Sequence, residues 1–154
     1  FYKNFGNFVL ATSLSVGFEK NYAENFYLPT IKVFRLDGFD EIRGFDDREI
    51  SRLVDGTLIS KVAVTDKAYF VAFKLEPRYN ITDNLQFDIF FDAGRLFVDK
   101  FQPLNLRTSV GAGIKFITPV GSLDFDYGIK LKRENYSDTG REAMGRFHLS
   151  IGFF

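Results

Sequence analysis

The stretch Leu123-Asp124-Phe125-Asp126-Tyr127-Gly128-Ile129-Lys130-Leu131 places an apolar side chain at every odd position and a polar residue or glycine at every even one. A period of two marks a strand with one apolar and one polar face. The pattern recurs along the chain. From Asn7 to Phe18, the residues Phe8, Leu10, Thr12, Leu14, Val16 and Phe18 alternate with the smaller Val9, Ala11, Ser13, Ser15 and Gly17. Tyr69, Val71, Phe73 and Leu75 oppose Ala72, Lys74 and Glu76. Leu85, Phe87, Ile89 and Phe91 oppose Gln86, Asp88, Phe90 and Asp92. Thr108, Val110, Ala112, Ile114 and Phe116 oppose Arg107, Ser109, Gly111, Gly113 and Lys115. Phe147, Leu149, Ile151 and Phe153 oppose Arg146, His148, Ser150 and Gly152. Six antiparallel strands are expected, in an all-β chain.

The connections alternate in length. Pro77–Asn84 and Thr118-Pro119-Val120-Gly121 read as short turns, whereas 20–67, Gly94–Asn105 and Lys132–Gly145 are longer and polar. Long loops on one side and short turns on the other are the habit of membrane β-barrels. Within 20–67, Leu28-Pro29 and Asp37-Gly38 are turn signals. The weak alternation of Leu58 to Thr65 is read as an extension of the following strand.

The charges Lys74, Glu76, Asp88, Asp92, Arg107, Lys115, Asp124, Asp126, Lys130 and Arg146 fall on one set of faces, and the other set is almost purely apolar and aromatic. A soluble sandwich segregates residues in the same way, so periodicity alone does not separate the two architectures. Strand length, the aromatic load (18%, with 20 phenylalanines) and the ending Phe153-Phe154 favour the membrane. No apolar run approaches the ~18–20 residues of a transmembrane helix, and a mean hydropathy near zero suits strands that average two unlike faces.

Equal numbers of basic and acidic residues, 20 of each, give no argument for a nucleic-acid partner. The absence of cysteine removes thiolate metal sites, cysteine nucleophiles and disulfides. The chain begins on Phe1 with no charged-then-apolar leader, and is read as a processed product or a fragment.

Several motifs in series resemble the BamA/TamA superfamily of outer-membrane assembly and translocation barrels. They are Ile42-Arg43-Gly44-Phe45, then Phe73-Lys74-Leu75-Glu76, then Phe91-Asp92-Ala93-Gly94. The hairpin Ile114–Gly121 running into Leu123–Tyr127 follows, and the final strand Phe147–Phe154 closes the series. The resemblance covers nearly the whole chain and implies the C-terminal six strands of a sixteen-stranded transmembrane barrel, residues 1–154 forming one part of that domain. It implies that 20–67 is an extracellular loop tucked into the lumen, where Arg43 pairs with Glu76 and Asp92. A planar guanidinium binds a carboxylate through two parallel hydrogen bonds. Gly44 would let the backbone approach the wall, and Phe45 would wedge the tip. Without the motif series, Arg43 reads as a solvated loop charge.

The same resemblance implies a bacterial outer-membrane location, lipid and lipopolysaccharide around the barrel, unfolded outer-membrane proteins as clients and periplasmic accessory subunits. Phe147, Leu149, Ile151, Gly152, Phe153 and Phe154 would form the targeting signal and one side of a lateral seam. The expected role is a BamA-type insertase, and the alternative is a polypeptide translocation pore of the TamA or two-partner secretion kind. A small structural barrel or adhesin is the plainest reading.

Other candidates are weaker. His148 is the single histidine, so it seeds no metal cluster or triad and is assigned a lumen-facing or interstrand role. Asp124 and Asp126 share a face, as a glycosidase pair would, and are assigned to lumen electrostatics. Gly111 and Gly113 are followed by no helix, so they are not a nucleotide fingerprint; they relieve crowding or allow the strand to bend. Asp37, Asp40, Glu41, Asp46 and Asp47 do not have EF-hand spacing and are read as solvated charge. No catalytic constellation, metal or cofactor is expected.

Overall fold

The computed structural model describes residues 1–22, 42–62, 64 and 66–153, Phe153 through its backbone alone. Leu28-Pro29, Asp37, Gly38, Asp40, Glu41, Thr65 and Phe154 lie outside the described residues. Nine strands are described: β1 Tyr2–Phe5, β2 Phe8–Lys20, β3 Lys67–Thr82, β4 Leu85–Val98, β5 Arg107–Thr118, β6 Gly121–Lys130, β7 Asn135–Tyr136, β8 Gly140–Arg141 and β9 Gly145–Phe153. Seven of them make one antiparallel sheet in the order β1-β2-β3-β4-β5-β6-β9, and β7 and β8 form a separate small hairpin. No described helix is long and apolar enough to cross a membrane, which says nothing of strands.

The sheet has seven strands rather than the expected six, because β1 folds back on β2 through Gly6-Asn7, with Phe5 opposite Phe8. Gly6 has φ +62°, the left-handed conformation that such two-residue hairpin turns need.

Pro77 does not open a turn. β3 continues to Thr82, and Asp83-Asn84 is the turn. Pro77 stays opposite Leu10 on β2, while the β3–β4 ladder skips from Leu75–Phe91 to Arg78–Asp88 and resumes in the same register. A proline cannot donate to a ladder, so the gap falls on one side and the strand survives.

β4 also outruns expectation. Gly94 to Val98 belong to it, paired with Ala68 to Ala72, and from Arg95 onward they run past Arg107, where β5 begins. Of the stretch Leu58 to Thr65, expected to extend β3, Leu58 instead bridges Arg52 and Ile59–Lys61 is a 3-10 turn.

Register places the polar sides of the strands on one face. Lys74, Asp92, Ser109 and Lys130 form one cross-strand row, and Asp88, Gly113, Asp126 and His148 another. Segment 42–62 packs on this face. Ile42, Phe45, Ile50 and Val64 bury against Ala68, Ala72 and Leu96. On the opposite face Phe8, Tyr79, Phe87, Ile114, Phe125 and Leu149 run in one row across six strands, all exposed. A soluble sandwich has the reverse polarity, with apolar faces inside. Here the charged face is covered and the aromatic face is bare.

Candidate functional site

Segment 42–62 crosses the charged face as a turn, a short helix α1 (Asp47–Ile50) and a second turn. Asp46 caps α1 by accepting from the Arg48 N–H at 2.9 Å, and the Asp46 N–H donates to the Glu49 carboxylate at 2.7 Å. This reciprocal pair satisfies donors that a helix start leaves open. The Arg48 N–H, the salt bridge to Arg146 and nearby positive charge outweigh burial and hold the Asp46 carboxyl below the usual range.

Arg43 is the centre of the contact. Its Nε donates to Oδ2 of Asp92 at 2.8 Å and its Nη2 to Oδ1 at 3.0 Å, the two-pronged geometry of a guanidinium on a carboxylate. Its Nη2 lies 2.9 Å from the Glu76 carboxylate and its Nη1 3.3 Å from that of Asp126. The guanidinium also stacks over Phe90, 3.5 Å from the ring centre. Burial opposes the charge on Arg43, but the Asp92 hydrogen bonds, together with the charges of Asp92, Glu76 and Asp126, raise its pKa overall.

The backbone is held as firmly. The Arg43 N–H donates to Asp92 at 3.0 Å, and its carbonyl accepts from the Ser109 hydroxyl at 2.5 Å. The Gly44 N–H donates to Nε2 of His148 at 2.8 Å. Gly44 has φ +90° and lies on Gly128, where a Cβ on Gly128 would strike the Gly44 backbone. Phe45 is 1% exposed, with the Arg107 guanidinium 4.7 Å and the Lys130 ammonium 5.4 Å from its ring centre.

Further pairs fasten the segment. Lys130 reaches Glu49 at 2.6 Å, and Arg146 meets Asp46. Arg52 binds Asp138 at 2.9 Å and lies over Tyr136, which ties the segment to the β7–β8 hairpin. Arg107 is paired with Glu142 at 2.5 Å and with Glu134 at 2.9 Å.

Of the residues singled out in the sequence, Ile42, Arg43, Gly44, Phe45, Glu76 and Asp92 come together here. Asp126 and His148 join them, while Asp124 pairs with Lys115 at 2.9 Å. Asp46 and Asp47, read as solvated charge, lie at the start of α1, Asp46 as its cap. Gly111 lies under Phe90, whose Cζ would be 2.2 Å from an added Cβ. Phe147, Leu149 and Ile151 are separate from the site, exposed on the aromatic face, with Gly152 opposite Ser122 and Phe153 opposite Gly121.

Phe90, Ser109, Gly128 and the Arg52 and Arg107 pairs were not anticipated. Parity places Phe90 on the charged face, and an aromatic residue alone among acids there was the available signal. These arginines reach from segment 42–62 and from β5 into the connection between β6 and β9, and no local signal encodes such contacts.

The model of the Omp85 superfamily domain matches residues 1–154. The chain is 28% identical over 131 residues to the outer membrane protein assembly factor BamA of Nitratidesulfovibrio vulgaris, an alignment covering 82% of this chain and 16% of that protein. The chain thus spans less than a fifth of that relative's length. No solved structure matches. The motif series along β3, β4, β6 and β9 and the family match from end to end agree, and the chain belongs to the Omp85 superfamily.

Proposed function

We propose that this chain is the C-terminal barrel section of a non-enzymatic, BamA-type assembly factor that folds and inserts β-barrel proteins into the bacterial outer membrane. In this reading the strands belong to a sixteen-stranded barrel whose aromatic face meets lipid and lipopolysaccharide. Residues 20–67 are the extracellular loop, folded into the lumen and fastened there by Arg43. Unfolded outer-membrane proteins are the clients, and β9 is one side of the seam at which they enter.

The inverted polarity of the sheet carries the proposal. An uninterrupted row from Phe8 to Leu149 exposes more contiguous apolar surface than water-soluble monomers usually tolerate, whereas hydrocarbon accepts it at no cost and penalises charge there. β9 adds the means of action. It is the last strand of the described sheet, and at a seam that opens, its outer edge would offer backbone donors and acceptors to an incoming strand. Gly152 near its end contributes no side chain to hold a neighbour.

The test is a disulfide lock between β9 and the first strand of the full-length barrel, in cells depleted of the wild-type protein. The expected result is a fall in other outer-membrane barrels that a reductant reverses. Normal assembly by the locked barrel would refute the proposal.

A further inference from the structure

The Gly44–His148 contact has a chemistry that the Arg43 cluster lacks. Gly44 donates its backbone N–H to Nε2 of His148, and both residues are buried. A ring nitrogen accepts only through a lone pair, so Nε2 carries no proton and the neutral ring has its hydrogen on Nδ1. A proton on Nε2 would set two N–H donors face to face at a separation of 2.8 Å. The contact also joins distant parts of the chain: the Ile42–Phe45 segment on one side and β9, the last strand of the described sheet, on the other.

Among the described residues, charged groups from several elements act on the ring. Arg43 and Asp47 belong to the segment, Asp92 to β4, Asp126 to β6 and Arg146 to β9. The nearest β5 residues, Ser109, Gly111 and Gly113, are uncharged. Asp92 and Asp126 are engaged by Arg43.

We infer that His148 is a positioning residue that holds the Ile42–Phe45 segment on the last strand only while its ring is neutral, so that acid detaches the segment from β9. The detached state takes up a proton that the docked state excludes. Below the free ring's pKa of about 6.5, the docking equilibrium therefore shifts by up to about tenfold per pH unit. The tether links the segment to β9 and needs no client, so its failure and the failure of the assembly role are separate results.

Backbone hydrogen exchange of residues 42–46, followed in the full-length protein folded in liposomes from pH 7.5 to 5.5 and corrected for intrinsic rates, tests the tether. Exchange in the wild type is expected to rise about tenfold toward pH 5.5. His148→Gln, whose amide oxygen accepts from Gly44 at every pH, is expected to stay protected throughout, and His148→Ala to exchange fast at both ends. The wild-type curve tests the idea without any variant. Flat wild-type protection, a glutamine variant that titrates like the wild type, or an alanine variant that stays protected would each overturn it.

Discussion

Gly44 and Gly128 touch backbone to backbone: a Cβ built on Gly128 would fall 2.6 Å from the Gly44 nitrogen. The segment therefore reaches the sheet only because two glycines from distant parts of the chain coincide. Gly128→Ala is expected to push the segment off its seat at a cost of about 1–3 kcal/mol, the usual range for overpacking a filled site. Trypsin cleavage after Arg48 and Arg52 reads this out, and should become faster. An alanine variant cut at the parent's rate would mean that the segment has room to shift.

Arg43 meets Asp92, Glu76 and Asp126 on three different strands. Asp92 is fully buried, so Arg43→Ala leaves charge without compensation and is expected to cost about 3–5 kcal/mol. Arg43→Lys keeps the charge but loses the fork, and should fall between parent and alanine. Adding Asp92→Asn to Arg43→Ala should restore part of the loss, which a double-mutant cycle on urea unfolding measures. Equal protease sensitivity of the segment in Arg43→Ala and parent would remove Arg43 from docking.

Much of this architecture is legible in the sequence because parity along a strand is a local property. Asp124, Asp126 and Lys130 declare a face without any knowledge of their neighbours. Register is not local. Which carboxylates stand level with Arg43 depends on Asp92 lying opposite Ser109 and Asp126 opposite Gly113, and no single strand encodes that. Pro77 misleads because a turn and a one-sided ladder gap both accept proline. β1 is too short for alternation to show, although Gly6-Asn7 carries the chemistry of its turn. The Arg52–Asp138 pair spans two connections and exists only once the sheet has brought them together.

Asp46 predicts a second pH effect in a different window from that of His148. Its carboxyl is held below the usual range by the Arg48 N–H and by Arg146. A carboxyl with a depressed folded pKa stabilises above its unfolded value of about 3.9, and that contribution is lost as pH falls through the folded value. Protection of the Arg48 amide should therefore hold from pH 7 to about 4.5 in a His148→Gln background and fall only below about 4. Asp46→Ala should cost about 0.5–2 kcal/mol through the lost cap. Asp46→Asn should lie nearer the parent, because water screens the half-exposed pair with Arg146. Loss of protection already at pH 5.5 in the glutamine background would mean that a group other than Asp46 governs α1.

Ile89 tests what the aromatic face touches. It is 51% exposed, opposite Ala112 in the middle of β5, on the face away from Arg43. In water, replacing an exposed isoleucine by arginine usually changes stability by no more than about 0.5 kcal/mol. In a bilayer, a charge near the midplane of a strand's lipid face costs about 2–4 kcal/mol. Ile89→Arg in the full-length protein folded into liposomes is therefore expected to lower the unfolding free energy by the larger amount. Gln86→Arg, on the charged face of the same strand, should have a much smaller effect. Equal effects at the two positions would mean that the face bearing Ile89 is not turned to lipid, and the proposed membrane orientation of the sheet would fall with it.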